Sequence, residues 1–251
     1  MGLLSQDVTF LNFDGAYKTQ PRLSHFAKDW IELSDIPESN LFCTHRALKK
    51  ISERISKQAG HGITFIGNGN YHYVTCLFLS KIDRPFTLIL FDNHTDTKLS
   101  DSEQGLLSCG SWVARSLANL PNLQRALIIG VCSEFQDYSP DLKDKIILWP
   151  ETGHWENLDS AIPTRNIYIS IDKDVLDRAY AVTNWDQGKM KLQDLLSALK
   201  KLMRQKNILG MDVCGELPVS PVEVWRYANE LRLNEQTNLA ILQSVFSGSS
   251  S

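Results

Sequence analysis

Seven short, nearly unbroken apolar runs rich in β-branched residues recur along the chain, with amphipathic or polar stretches between them. They are Val8–Phe13, Ile63–Gly67, Phe86–Asp92, Ala126–Val131, Ile146–Trp149, Ile167–Asp172 and Ile208–Val213. A strand wetted on one face alternates apolar and polar residues, so runs without alternation belong to strands covered on both faces, as in parallel sheets. The intervening spacing predicts helices over Thr44–Lys57, Tyr71–Leu79, Ser111–Leu120, Leu192–Arg204 and Val222–Phe246, the last broken near Asn234. In the fourth of these, Leu195, Leu199 and Leu202 form an apolar stripe beside Lys200, Lys201 and Arg204. Alternation of the two kinds of element through the whole length predicts one three-layer α/β/α domain over residues 1–246, with a mostly parallel sheet. The closing Ser247–Ser251 reads as a frayed tail.

Composition narrows the function classes. The chain has 251 residues with a formal net charge of −3, and no basic run suits nucleic acid or an anionic membrane. No apolar stretch reaches the 18 or so residues of a membrane span, and the N-terminus lacks the pattern of a signal peptide. Five scattered cysteines, none in a CxxC pair, argue against a disulfide framework or a zinc ribbon. The expectation is a cytoplasmic protein acting on a small molecule.

Ligands of parallel sheets sit at the carboxyl ends of the strands, and three strand ends here are densely polar. FTLILF runs into Asp92-Asn93-His94-Thr95-Asp96, NIYIS into Ile171-Asp172-Lys173-Asp174, and ITFI into Gly67-Asn68-Gly69-Asn70-Tyr71-His72. Residues two apart on a strand share a face, so Asp92 pairs with His94 and Asp172 with Asp174, while Lys173 points away. Semi-buried carboxylates in such number are tolerable only when paired or bound to metal, and Lys98 and Lys173 are the only basic neighbours. Four aspartates with two imidazoles balance two divalent cations. An oxygen-rich set without thiolate suits Mn²⁺, with Ni, Co, Fe and Zn as competitors. Two such ions about 3.5 Å apart lower the pKa of a shared water and make hydroxide available near neutral pH.

These motifs resemble the arginase/agmatinase (ureohydrolase) family. DNHTD at Asp92–Asp96 is similar to its DAHxD signature, and SIDKDVLD at Ser170–Asp177 to its SxDxDxxDP. GNGNYH stands where the family carries GGDHS, and DVCGELP at Asp212–Pro218 near its D-x-x-E-x-N-P. The resemblance implies an α/β/α fold with an eight-stranded parallel sheet, and a homo-oligomer. It also implies two Mn²⁺ ions, one on His72, Asp92, Asp96 and Asp172, the other on Asp92, His94, Asp172 and Asp174. The implied reaction is hydrolysis of a C–N bond in a guanidino, amidino or amide compound by metal-bridging hydroxide, with Asp96 carrying the proton to the leaving amine.

The departures put arginase activity itself in doubt. Asn93 replaces the signature's Ala, Arg178 its Pro, and GNGNYH lacks the acidic residue before the ligand His. Ser108–Trp112 contains no proton-shuttling His, and Lys98 replaces the Asn that grips the amino-acid end of arginine. Glu216 lies one residue beyond the guanidinium-binding Glu and is expected to reach the pocket through a small slip of its loop. Ser111, Trp112, Trp185 and Asp186 are expected to line a pocket for a different cation or an amide, and His154 reads as a surface loop residue, with replacement of the missing shuttle as the alternative. The rival reading is a metal-binding scaffold or regulatory protein that kept the fold and lost turnover.

Overall fold

Residues 5–56, 62–98, 106–131, 140–150 and 155–248 are described by a computed structural model. The apolar runs become β1 (Val8–Asn12), β4 (Ile63–Phe65), β5 (Phe86–Phe91), β7 (Leu123–Ile129), β8 (Ile146–Trp149), β9 (Asn166–Asp172) and β10 (Asn207–Cys214). The sequence pattern missed β2 (Asp29–Glu32), which pairs with β1 at the sheet edge. Only Ile31 of its four residues is fully buried, so it lacks the apolar run that marks the others. Two-residue strands β3 (Phe42–Cys43) and β6 (Leu107–Ser108) form a separate antiparallel ladder.

The other eight strands make one sheet in the order β2-β1-β4-β10-β9-β5-β7-β8, with every ladder parallel. Alternate residues feed two cores. Ile89 and Phe91 of β5 and Ile167, Ile169 and Ile171 of β9 pack on one side with helices Leu192–Gln205 and Ala228–Gly248. Leu88 and Leu90 of β5 and Tyr168 of β9 pack on the other with helices His45–Ile55, Thr75–Leu79 and Trp112–Asn119. This double coverage is the reason the strands carry no polar face.

Two helix expectations need correction. The last helix begins at Ala228, after a run of turns, and is unbroken at Asn234. Asn234 is buried, and its amide side chain bonds both N–H and C=O of Val182, 2.8 Å each, which is why a polar residue interrupts the apolar pattern without ending the helix. The helix also runs through Gly248, two residues into the stretch expected to fray. Among the described residues no helix is long and apolar enough to cross a membrane.

Candidate metal centre

Strands β4, β10, β9 and β5 are neighbours, so their carboxyl ends form one continuous edge. The register Phe91↔Ile171 brings Asp92 beside Asp172, and Cys214 pairs directly with Asp172. After β4, Asn68 caps a 3-10 turn, Gly69–Val74, by accepting from Asn70 N at 2.8 Å, and the turn delivers His72. Gly69 leaves room that a side chain would fill: a Cβ there would lie 3.0 Å from Asp172 Oδ2 and 2.9 Å from the Trp185 ring. Asp96 adopts a left-handed backbone, φ 51°, an uncommon and strained state for a non-glycine residue, which turns its carboxylate toward the others.

Two clusters result. His72 Nδ1 lies 3.4 Å from Asp92 Oδ2, 3.3 Å from Asp96 Oδ2 and 3.6 Å from Asp172 Oδ2. His94 Nδ1 lies 3.0 Å from Asp174 Oδ2 and 3.5 Å from Asp92 Oδ1. Asp92 thus offers one oxygen to each cluster. His72 Nδ1 and Asp92 Oδ2 are buried and have no hydrogen-bond partner. Donor atoms about 2.1 Å from a common ion lie roughly 3.0–3.4 Å from one another, so these separations suit divalent metal.

The imidazole tautomers agree. Ser170 Oγ spends its only proton on Asp212 Oδ1 (2.6 Å), so it accepts from His72 Nε2 (2.9 Å) and leaves a lone pair on Nδ1. Tyr168 donates to the other Asp212 oxygen at 2.8 Å and completes the support. His94 Nε2 faces Asp186 Oδ1 at 3.0 Å, and a carboxylate only accepts, so its Nδ1 is likewise free to ligate. Asn93 holds Asp186 in turn, through the backbone O at 3.1 Å and Oδ2 at 3.4 Å. Trp112 Nε1 fixes Asp96 Oδ2 at 2.6 Å, and its ring packs 4.8 Å from His72. The Cys214 thiol donates to Asp172 Oδ2 at 3.1 Å.

Without a cation this arrangement penalises its own charges. Burial, then the charge of Asp96, raises the pKa of Asp92; burial, then Asp174, raises that of Asp172. Asp174 is pushed up to about 7 by burial and then by Asp92. Asp212 is raised by burial, with His72 opposing.

The clusters form the floor of a cavity of about 810 Å³ whose walls include Leu41, Phe42, Lys98, Cys109, Trp185 and Asp186. Of the residues expected in the pocket, Trp185 and Asp186 line it, but Asp186 is committed to His94. Trp112 and Ser111 do not line it. Both are fully buried, Trp112 behind Asp96 and Ser111 with its Oγ bonded to Ser108 N at 3.0 Å. Glu216 is also elsewhere: fully buried, it is paired with the Lys173 ammonium on the opposite side of β9. Asp177 caps a turn, accepting from Ala179 N at 2.8 Å. His154 lies outside the described residues. Burial pushes the Cys109 thiol up to about 12, which leaves it a neutral wall residue rather than a nucleophile.

Sequence reasoning passed over Tyr168, Ser170, Asp212 and Cys214. The signal was present, since Tyr168 and Ser170 share the face of Asp172, and Cys214 that of Asp212.

The profile of the Arginase family matches residues 12–222. An uncharacterized protein of Thermotoga maritima is 31% identical over 252 residues, covering 97% of this chain and 91% of its own. An agmatinase of Bacillus anthracis is 25% identical over 75% of this chain and 69% of its own. In three dimensions, formimidoylglutamase of Bacillus subtilis superposes with a TM-score of 0.67 at 17% identity, over 98% of this chain and 87% of its own.

Proposed function

The chain belongs to the arginase family, and we propose that it is a two-metal hydrolase that cleaves a C–N bond in an amidino or amide compound. The observation that carries the reading is the convergence of His72 Nδ1, which has no hydrogen-bond partner, and His94 Nδ1, 3.0 Å from Asp174 Oδ2, with four enclosed aspartates. His72, Asp92, Asp96 and Asp172 would hold one divalent cation, and Asp92, His94, Asp172 and Asp174 the other. Oxygen-rich ligation with two imidazoles favours Mn²⁺ over Ni, Co, Fe or Zn. When bound, such a pair supplies Lewis acidity and lowers the pKa of water. The protein's own part is positional. Ser170 and Asp212 orient His72, Asn93 and Asp186 orient His94, and Trp112 aims Asp96, which accepts a proton and delivers it to the leaving nitrogen. A small-molecule substrate, a homo-oligomeric state and a cytoplasmic location belong to the same proposal.

One feature favours the scaffold reading. His72 and His94 are the only histidines lining the described cavity, and both are committed to the metal clusters. Metal analysis after Mn²⁺ saturation is expected to give at least one equivalent, lost in Asp92→Ala and Asp172→Ala. A screen of amidino, guanidino and amide compounds is then expected to show turnover abolished by Asp96→Asn. Tight metal binding with silence across the screen would establish the scaffold instead. Arginine and agmatine are expected to be poor substrates, with kcat/KM below about 10⁴ M⁻¹s⁻¹, the low end for ordinary enzymes. Light scattering at micromolar concentration tests the assembly.

A further inference from the structure

Sulfur reaches one side of the aspartate cluster and not the other. Strand β10 pairs Cys214 directly with Asp172, and its thiol lies 3.1 Å from Asp172 Oδ2. The same oxygen is 3.6 Å from His72 Nδ1. His72, Asp172 and Cys214 each offer one ligating atom, and these three atoms lie within 4.8 Å of one another. The group on the other side, Asp92, His94 and Asp174, offers only nitrogen and oxygen.

A second observation points to an ion at that place. His72 Nδ1 and Asp92 Oδ2 are buried and have no hydrogen-bond partner, a costly state for polar atoms that a cation relieves. Metal bonds of about 2.3 Å to sulfur and 2.0–2.2 Å to nitrogen or oxygen put neighbouring ligands about 2.9–3.6 Å apart. Both separations from Asp172 Oδ2 fall in that range. Strand β10 holds the geometry from two positions on one face. Asp212 accepts from Ser170, which fixes His72 Nε2, and Cys214 brings the sulfur. The other thiol of the described cavity, Cys109, belongs to its wall.

We propose that Cys214 is a ligand of the ion held by His72 and Asp172, which makes the two metal positions unequal: a thiophilic ion, Zn²⁺ or Co²⁺, on the sulfur side and Mn²⁺ beside His94. This rests on the two-metal reading and deepens it. Sulfur donors select the softer ions, whereas oxygen-rich sets suit Mn²⁺. Ligation exchanges the S–H bond for a metal–sulfur bond and releases the proton to water.

The test is Co²⁺ titration of chelator-treated protein, followed in the near ultraviolet, where a cobalt-bound thiolate gives a charge-transfer band that nitrogen and oxygen ligands do not. The band is expected to grow with one equivalent of Co²⁺ and to stay constant while a second equivalent binds. Cys214→Ser should abolish it and weaken Co²⁺ binding at that equivalent by about tenfold or more, since loss of even a supporting group at a metal site costs that much. The other equivalent should bind as before. Cys214→Ala is the second variant, should the buried site reject a hydroxyl, and Cys109→Ser should keep the band. Two equivalents of Co²⁺ bound without the band would overturn the inference and leave the two-metal reading standing. A band that survives loss of Cys214 would do the same. Failure to bind Co²⁺ at all would overturn both.

Discussion

Asp174 holds its proton to about pH 7 in the metal-free fold, because burial and then the neighbouring Asp92 charge disfavour its ionised form. In the unfolded chain it loses that proton near the ordinary aspartate value of about 3.9. Between those values the folded state binds more protons, so stability falls as pH rises. His94 acts in the same direction. Burial opposes its charge, but Asp174 and Asp92 outweigh burial and raise its pKa. The stability it gains is present below its unfolded pKa of about 6.5 and is lost as pH climbs through the folded value. Thermal melts in chelator between pH 5 and 8 are expected to show that fall, and Mn²⁺ to remove it. A chelated protein that melts at constant or rising temperature across this range contradicts the assignment. At this scale the six side chains of the two clusters were legible in the sequence: alternation puts Asp92 with His94 and Asp172 with Asp174, and polar crowding at the strand ends singles out His72 and Asp96. Glu216, Ser111 and Trp112 were misplaced because they lie beyond the strands, where alternation no longer governs direction.

At the level of elements, the legible strands were those buried on both faces, and the illegible one was the edge strand β2, whose apolar content is two residues. The turn that leaves β10, inside the DVCGELP stretch, holds one of the tightest glycine positions among the described residues. Gly215 has φ 86°, and a Cβ there would lie 2.4 Å from Asp172 Oδ1 and 2.7 Å from Lys173 N. Gly15 shares the left-handed conformation, φ 79°, but a Cβ there would meet nothing nearer than 3.9 Å. The pair separates backbone strain from steric damage to the metal centre. Gly15→Ala is expected to cost about 1 kcal/mol, the strain of a non-glycine residue in that region, with Mn²⁺ affinity unchanged. Gly215→Ala carries the same strain and also displaces Asp172, so Mn²⁺ affinity should fall by about tenfold or more, as for loss of a ligand's support. Denaturant unfolding and Mn²⁺ titration of both variants decide the matter. Equal metal affinities would show that Asp172 does not depend on this turn.

Across the whole molecule, one buried polar cluster joins both ends of the chain to the strands that carry the aspartates. Glu216 receives the Lys173 ammonium, Gln20 Nε2 at 2.8 Å and Asn238 Nδ2 at 2.7 Å, and Asn238 Nδ2 also lies 2.8 Å from Gln20 Oε1. Asn234 adds a longer contact to Glu216 at 3.3 Å. Gln20 precedes the short helix Pro21–Ser24, Lys173 sits between Asp172 and Asp174, and Asn234 and Asn238 belong to the final helix. Lys173 and Glu216 are both wholly buried, so removing either partner strands the other's charge, at a cost of about 3–5 kcal/mol. Replacing both with apolar residues removes the stranded charge as well, and such exchanges are often neutral. Urea unfolding of Mn²⁺-free protein is therefore expected to show Glu216→Gln and Lys173→Met each losing several kcal/mol, while Lys173→Met combined with Glu216→Leu recovers much of the loss. In the Mn²⁺-loaded folded protein, Glu216→Gln should leave the affinity for cavity ligands within about twofold, since the carboxylate faces the far side of β9. Lost ligand affinity with stability intact would return Glu216 to the pocket that the sequence alone suggested for it.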